Sequence, residues 1–151
     1  ASPLNCAGDD NALFAAGPGH GAPPANVQLG PDDYLLDHID HAFTLLYFSA
    51  EKAVSEALLA VAHAARQQGV PFSILAIGSS ETVHGADQTL ADTGSAVRLR
   101  YGVRAAGAAY LLRPDQHVCA RWMTLDAGRL QAALHLDFAD EGQRHDRRVC
   151  F

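Results

Sequence analysis

Two histidines one helical turn apart are the first side chains in this sequence that could do chemistry. His38 and His41 lie in the run Asp-His-Ile-Asp-His, and on a helix this spacing would let both imidazoles bind one metal ion. A structural zinc site needs four ligands and a catalytic site normally three. Because spacing specifies no third ligand, a partly exposed polar face is favoured, and a metal-binding module is an alternative that rests on two ligands.

Ser49 and Lys52 are a second candidate, a hydroxyl nucleophile with a nearby base. They stand where a predicted helix follows a predicted strand, so the positive end of the helix dipole would favour an anionic nucleophile. A serine at a helix start is more simply an N-cap. Neighbouring side chains at a helix start point in different directions, so a Ser-Lys catalytic pair is disfavoured.

The three cysteines do not form a recognisable redox or disulfide pattern. Cys6, Cys119 and Cys150 are widely spaced and include no Cys-x-x-Cys pair. Cys119 falls inside a predicted strand, where a small polarisable side chain packs well. Buried or idle thiols are favoured over reactive ones, and whether Cys6 and Cys150 pair is left open.

The first 24 residues are rich in glycine, alanine and proline and show no sustained periodicity. Gly17, Gly19 and Gly21 imitate part of a dinucleotide-binding fingerprint. The spacing is wrong, two prolines prevent a continuous helix, and no strand precedes the glycines. Residues 1–24 are therefore interpreted as an irregular lead-in or linker.

Composition excludes several classes of function. The 151 residues are 48% hydrophobic and 19% charged, as in an ordinary globular protein, and carry a net charge of −6. That charge argues against nucleic-acid binding, which needs clustered Lys and Arg. No apolar run approaches the roughly 20 residues of a membrane span, and no secretory signal is recognisable. A soluble, cytoplasmic protein is expected.

The elements that would position these residues follow from periodicity. Two almost wholly apolar runs predict strands buried on both faces, and a 3.6-residue repeat between them predicts a long helix that Gly69 and Pro71 end. A Pro-Asp turn between two later runs predicts a hairpin. These main elements are strand Phe43–Ser49, helix Glu51–Gln68, strand Phe72–Ile77, hairpin strands Ala108–Arg113 and His117–Trp122, and a last helix from Asp126 with Leu130, Ala133 and Leu134 on its apolar stripe.

Shorter elements are expected around this frame. They are a strand at Val27–Leu29, a turn at Gly30–Asp33, a brief helix at Tyr34–Ala42, a polar loop at Gly78–Ala91, and a short helix capped by Asp92 or Thr93 and closed by Gly102. The main order is βαβ followed by ββα. It predicts an α/β, thioredoxin-like domain over residues 25–138, with a central mixed sheet flanked by helices, and a polar C-terminal extension over 139–151.

The reactive cysteine of that fold is missing. In a thioredoxin-like domain it opens the helix after the first buried strand, where the helix dipole lowers the thiol pKa. Here that position reads Ser49-Ala-Glu-Lys52. The sequence therefore predicts a domain without thiol chemistry, and no catalytic, cofactor-binding or metal residue is assigned.

The chain resembles the C-terminal thioredoxin-like domain of the FAD-dependent aromatic-ring hydroxylases, a group that includes phenol hydroxylase, 3-(3-hydroxyphenyl)propionate hydroxylases and polyketide hydroxylases. The resemblance covers about Pro18 to Leu136. Two departures stand out: Gly21 replaces a frequent Arg, and Gln116 replaces a common Gly, which predicts a turn that does not need a positive φ there. The resemblance is carried by Pro18-Gly19-x-x-Ala22-Pro23, Leu29, Leu35-Leu36-Asp37, Phe43-Thr44-Leu45-Leu46, Tyr101-Gly102, and Leu111-Leu112-Arg113-Pro114-Asp115-x-x-Val118-x-x-Arg121-Trp122.

The resemblance implies a non-catalytic domain that supports assembly or stability of an aromatic-ring monooxygenase. It implies that FAD and NAD(P)H bind in preceding domains of a parent enzyme, so no cofactor is expected in this chain, which looks like an excised or separately encoded piece. The preceding FAD and substrate domains, and possible further copies of the chain, are the expected partners. A free-standing thioredoxin- or peroxiredoxin-like redox protein is the alternative, although a peroxiredoxin would need the missing Cys and an Arg where Gly107 stands.

Arginines of the hairpin and tail are the expected contact residues of such a domain, together with the lead-in. Arg121 should lie on the strand face opposite Trp122, because side chains alternate along a strand. Trp122 is placed with equal weight at the core edge or on a docking surface. The expected contact surfaces are His20–Pro24, the hairpin edge near Arg113 and Arg121, and the tail Arg144–Arg148.

Overall fold

The structure is a computed structural model that describes residues 9–49, 51–79 and 81–134. Its strands are β1 (Gln28–Gly30), β2 (Asp33–Tyr34), β3 (Phe43–Phe48), β4 (Phe72–Ile77), β5 (Gln88–Leu90), β6 (Ala108–Leu112) and β7 (Val118–Trp122). Strands β1 and β2 form a small antiparallel ribbon, and the other five form one sheet in the order β5-β4-β3-β6-β7. Within that sheet β3, β4 and β5 run parallel to one another. Strand β6 runs antiparallel to β3, and β7 runs antiparallel to β6.

Helices cover both faces of the sheet. They are α1 (Glu56–Gln67), α2 (Ala96–Arg100) and α3 (Ala127–Leu134), with single 3₁₀ turns at Asn11–Leu13, Leu35–His38 and Thr93–Ser95. The predicted α/β class, with a mixed sheet flanked by helices, is confirmed, and the arrangement is consistent with a thioredoxin-like fold. Among the helices described, none has both the length and the apolar character needed to cross a bilayer.

Alternation along the strands divides the core into two layers. Leu45 of β3 packs in the layer that α1 and α3 cover, while its neighbour Leu46 packs in the layer beneath α2 and the lead-in. Successive side chains of a strand point to opposite faces, so a strand with both sets buried is almost wholly apolar. Five of the six residues of β3 are buried, and the sixth, Tyr47, is half-buried. The continuous apolar runs in the sequence therefore correspond to central strands.

Helix α1 begins later than the sequence predicted. Its first residue is Glu56 rather than Glu51, and its N-cap is Ser55, whose hydroxyl accepts the Leu58 N–H at 3.2 Å. The preceding segment is extended and pairs with the chain near His84, which donates its N–H to the Lys52 carbonyl and accepts that of Val54. This backbone pairing between distant segments overrides the local preference for helix. The predicted start was wrong because the sequence shows no sign of the pairing.

The hairpin lies where it was predicted, but its turn differs from expectation. The Gln116 N–H donates to the Arg113 carbonyl at 2.8 Å, which closes a four-residue turn over Pro114 and Asp115. Gln116 has a φ of 62°, so the expectation that this position needs no positive φ was wrong. A three-residue hairpin loop places its last residue in the left-handed region, where glycine is preferred but not required.

The shorter elements were predicted with mixed success. The N-cap position of α2 is Ser95, but the Asp92 carboxylate accepts the N–H groups of Val97 and Arg98, so its side chain caps the first turn as expected. The helix expected over Tyr34–Ala42 is only the 3₁₀ turn Leu35–His38, and the segment predicted as loop between Gly78 and Ala91 contains β5. Three residues of polar or mixed character are too few to show a strand period.

Candidate functional site

The end of β3, where a thioredoxin-like fold carries its reactive cysteine, has no comparable arrangement here. Ser49 is 5% exposed, and its hydroxyl oxygen accepts the Glu51 N–H at 2.9 Å within a local turn. It does not cap α1, which begins only at Glu56, so no helix N-terminus supports an anion at Ser49. Lys52 is exposed. The structure therefore brings no helix dipole to the predicted Ser49–Lys52 pair.

Cys119 is a core residue, as the sequence predicted. It is fully buried in the layer beneath α1 and α3, and burial raises the pKa of its thiol well above the ordinary range. A thiolate is the nucleophilic form of cysteine, and this environment disfavours it. Cys6 and Cys150 lie outside the described residues, as does the tail Arg144–Arg148.

The two histidines considered as metal ligands are separated by the end of the 3₁₀ turn. Nε2 of His38 lies 2.6 Å from an Asp33 carboxylate oxygen, and Nδ1 lies 2.9 Å from the Gln88 side-chain oxygen. The hydrogen bond to Asp33 raises the pKa of His38. His41 is exposed. Both ring nitrogens of His38 are thus occupied by acceptors, and the described part of the chain holds no group of three potential metal ligands.

Among the described residues, the most elaborate polar arrangement surrounds Arg121 on β7. Its Nε donates to the Asn11 side-chain oxygen at 2.8 Å, and one Nη donates to the Ala16 carbonyl at 3.0 Å and to the Tyr110 hydroxyl at 3.1 Å. The guanidinium carbon lies 4.5 Å from the centroid of the Phe14 ring. Arg121 is 6% exposed. We call these five residues the lead-in clamp, because a buried charge on the hairpin holds three residues of the lead-in.

A second contact fixes the first described residues of the lead-in. The Asp10 carboxylate accepts two hydrogen bonds from Arg129 of α3, at 2.6 and 2.8 Å, and one from the Met123 N–H at 3.0 Å. Hydrogen bonding to Arg129 lowers the pKa of Asp10. The Asp10 N–H in turn donates to the Arg121 carbonyl at 2.8 Å. Two-point binding of a carboxylate by arginine adds geometric specificity, so this end of the lead-in has one defined position.

The other end of the lead-in pairs with the outer edge of β7. The Gly21 N–H donates to the Val118 carbonyl, and the Val118 N–H donates to the Ala22 carbonyl, both at 2.8 Å. An uncovered edge strand offers unpaired backbone groups to other chains. The lead-in therefore completes the sheet edge.

Two tyrosines extend the clamp into the core. The Tyr110 hydroxyl donates to the Tyr101 carbonyl, and the Tyr101 hydroxyl donates to the Ala25 carbonyl. Burial raises the pKa of both phenols, so they remain neutral donors at physiological pH. Gly17 lies so close to the Tyr110 hydroxyl that an added Cβ would overlap it. The clamp thus requires glycine at this point.

The hairpin arginines are not the exposed contact residues that the sequence led us to expect. Arg113 is 7% exposed and makes two hydrogen bonds to Asp115, at 2.6 and 2.9 Å. Arg121 does lie opposite Trp122, as alternation predicted, but its face is covered by the lead-in. Trp122 is 1% exposed and belongs to the core. In the expected surface His20–Pro24, His20 is half-buried against Asp9. The prediction of exposure was wrong for Arg113 and Arg121, whereas Gly21 and Pro23 in the expected surface His20–Pro24 are exposed. Nothing in the sequence shows that the lead-in folds back over Arg121.

An apolar groove of about 470 Å³ lies at the opposite end of the sheet from Ser49. It contains one titratable side chain, Asp115, whose pKa Arg113 lowers by hydrogen bonding. Nothing in this lining can activate a nucleophile or transfer a proton near neutral pH. The lining residues are Phe43, Gly69, Val70, Pro71, Pro114 and Asp115.

No protein-family model matches the chain, and no curated protein matches it. Solved structures do. A ternary complex of aklavinone-11 hydroxylase with FAD and aklavinone is 27% identical, with 82% of this chain and 22% of that chain covered and a TM-score of 0.50. The flavin-dependent monooxygenase PieE in complex with FAD and substrate is 25% identical, with 87% and 21% covered and a TM-score of 0.52.

The rebeccamycin biosynthetic enzyme RebC with reduced flavin is 21% identical, with 87% of this chain and 22% of that chain covered and a TM-score of 0.55. At that identity the likeness concerns the fold. The chain spans about a fifth of the length of each of these three proteins. It therefore corresponds in structure to a small part of flavin-dependent hydroxylases and monooxygenases, the group that the sequence motifs indicated.

Proposed function

We propose that this chain is the non-catalytic C-terminal domain of an FAD-dependent aromatic-ring monooxygenase and that it supports the assembly and stability of that enzyme. The parent enzyme would insert one oxygen atom of O₂ into a phenolic ring, with FAD and NAD(P)H bound by the preceding domains. The domain would itself carry no cofactor and would work in the cytoplasm. The likeness to aklavinone-11 hydroxylase and PieE supports the assignment.

The lead-in clamp is the observation that carries the proposed role. In the described structure, the buried guanidinium of Arg121 and the ion pair of Asp10 with Arg129 fix the lead-in to the hairpin and to α3, and neither forms a reaction site. In the proposed parent, this segment follows the catalytic domains. A connection held by a buried guanidinium and a bidentate ion pair is stiff, so it would set the position of the domain relative to those that precede it.

A free-standing thiol enzyme is the alternative. It needs an accessible cysteine of lowered pKa at a helix start, whereas Cys119, the one cysteine among the described residues, is buried with a raised thiol pKa. The described structure therefore offers this alternative no support.

The assignment is tested on the polypeptide encoded by the complete reading frame that contains residue 1. Purified, it is expected to bind FAD stoichiometrically and to oxidise NAD(P)H faster with a phenolic substrate. The 151-residue chain alone is expected to be colourless and to reduce neither peroxide nor insulin disulfides. An upstream frame without a flavin domain, or thiol turnover that disappears on Cys119→Ser, would overturn the proposal.

A further inference from the structure

Two surface segments of opposite charge stand out on this protein. Residues 93–107 contain three arginines and no acidic residue, whereas residues 30–41 contain four aspartates and no Lys or Arg. The chain as a whole is acidic, with a net charge of −6, so a local run of unbalanced positive charge is unusual within it. With histidine counted as neutral, each segment therefore carries formal charge of one sign.

The basic segment exposes apolar surface together with its charges. Leu99 of α2 is 73% exposed, and Arg100 and Arg104 are also exposed. Arg104 donates to the carbonyl of Leu13 at 3.0 Å, which brings a second exposed leucine, at 56%, to the same surface. No ion pair to a carboxylate is formed by Arg100 or Arg104 within the described residues. We call Leu13, Leu99, Arg100 and Arg104 the arginine patch.

The acidic segment has the same construction with the opposite charge. Asp32, Asp37 and Asp40 are exposed, and Tyr34 between them is 38% exposed. We call these four residues the aspartate patch. Leu13, Tyr34 and Leu99 are the large apolar side chains that are exposed in the described structure, and all three belong to one patch or the other. Single exposed apolar residues are ordinary, but here each accompanies exposed charged side chains of one sign.

Both patches lie over the same core layer. Val97 and Tyr101 pack beneath the arginine patch, and Leu35 and Ile39 pack beneath the aspartate patch, all in the layer on the α2 face of the sheet. Two complementary patches on one face permit a closed two-fold dimer, in which each patch of one copy meets the opposite patch of the other. Patches on opposite faces would instead tend to form open chains.

We propose that the occupant of these patches is a second copy of this chain, bound through reciprocal contact of the arginine patch with the aspartate patch. The inference deepens the proposed function, on whose assembly role it rests, by naming the surfaces and the partner. Exposed ion pairs contribute little each, so the dimer is weak and the charges mainly set its orientation and its salt dependence.

The test measures the mass of the 151-residue chain by sedimentation velocity up to about 100 µM. A monomer–dimer equilibrium is expected in about 50 mM salt, with clear weakening in about 500 mM salt, where screening acts over a shorter distance. A wild-type chain that stays monomeric at low salt overturns the proposal, as does growth beyond the dimer.

Charge reversal identifies the surfaces. Arg100→Glu and Asp37→Arg are each expected to weaken the dimer at least about tenfold, and combining them is expected to restore much of the affinity. Lys52→Glu is the matched control, since it makes the same charge change as Arg100→Glu at an exposed position outside both patches.

Two results of the charge-reversal series overturn the inference: equal weakening by the Lys52 control, or no recovery in the combined variant. Thermal melting of each variant shows that the fold is retained. Because the assay uses this chain alone, its failure leaves the flavin-enzyme assignment standing, and that assignment is decided by the complete reading frame.

Discussion

Replacing Arg121 with methionine tests whether the lead-in clamp holds the lead-in to the domain. Methionine keeps much of the apolar volume but removes every side-chain donor. The Ala16 carbonyl and the Tyr110 hydroxyl each lose a hydrogen bond, at about 1 kcal/mol or somewhat more each. The Phe14 ring loses a cation–π contact of about 0.5–1 kcal/mol.

The expected loss in the free energy of unfolding of Arg121→Met is therefore about 3 kcal/mol. Equilibrium urea unfolding measures it, with a midpoint shift of about 1.5 M if the slope is near 2 kcal/mol/M. Arg121→Lys keeps the positive charge but not the planar guanidinium with its several donors, and it is expected to lose about half as much free energy of unfolding. Arg100→Met is the matched control, because Arg100 is exposed and its side chain makes no hydrogen bond or ion pair among the described residues, so this change should cost no more than about 0.5 kcal/mol.

Hydrogen exchange locates the effect of Arg121→Met. The N–H groups of Asp10 and Gly21 are hydrogen-bonded to β7, so their hydrogen-exchange rates are expected to rise in the variant. The exchange rates of amides in β3 and β4 are expected to change only as far as the free energy of global unfolding changes. An unfolding free energy of Arg121→Met within about 0.5 kcal/mol of the wild-type value, or unchanged exchange at these two amides, would show that Arg121 does not hold the lead-in.

Three further predictions concern single side chains. Because the pKa of His38 is raised in the folded protein, the stability that His38 contributes is fully present below about pH 6.5 and is lost as the pH rises through the folded-state pKa. The pH dependence of the melting temperature should therefore flatten in His38→Gln but not in the control His63→Gln. Equal pH profiles of the two variants would contradict this prediction. Gly17→Ala should lower the free energy of unfolding by more than about 2 kcal/mol, because the φ of Gly17 is 89° and an added Cβ would overlap the Tyr110 hydroxyl. Gly21 has a similar φ of 76° but open space around it, so Gly21→Ala should cost about 1 kcal/mol. Urea unfolding compares the two variants, and equal losses of stability would disprove the close contact. Cys119 is buried, so it should react with a thiol reagent only as fast as the protein opens. Rapid labelling of Cys119 in native buffer would show that this side chain is accessible.

The sequence predicted the central strands and α3 well because their signals are local. Phe43–Phe48 and Phe72–Ile77 are almost wholly apolar, and Leu130, Ala133 and Leu134 recur at helical spacing, as burial on one or two faces requires. The start of α1 could not be placed, since the pairing of Val54 with His84 depends on tertiary structure.

The lead-in clamp was missed for the same physical reason. Its contacts join residues about a hundred positions apart, such as Asn11 with Arg121, and an irregular segment carries no period that would reveal its partner. An arginine within a strand of small and apolar residues was the available signal, because a buried guanidinium needs several acceptors. Alternation placed Arg121 on the correct face but could not show what covers it.

In the proposed role, this domain supports the enzyme without taking part in its chemistry. The most direct measurement compares the protein from the complete reading frame with a truncation that ends before Asp9, using single-turnover flavin reoxidation with hydroxylated product counted per bound flavin. The truncated protein is expected to give nearly unchanged product per flavin, with a lower melting temperature or a smaller assembly by light scattering. Loss of hydroxylation with melting and assembly unchanged would contradict it, because the domain would then reach the active site.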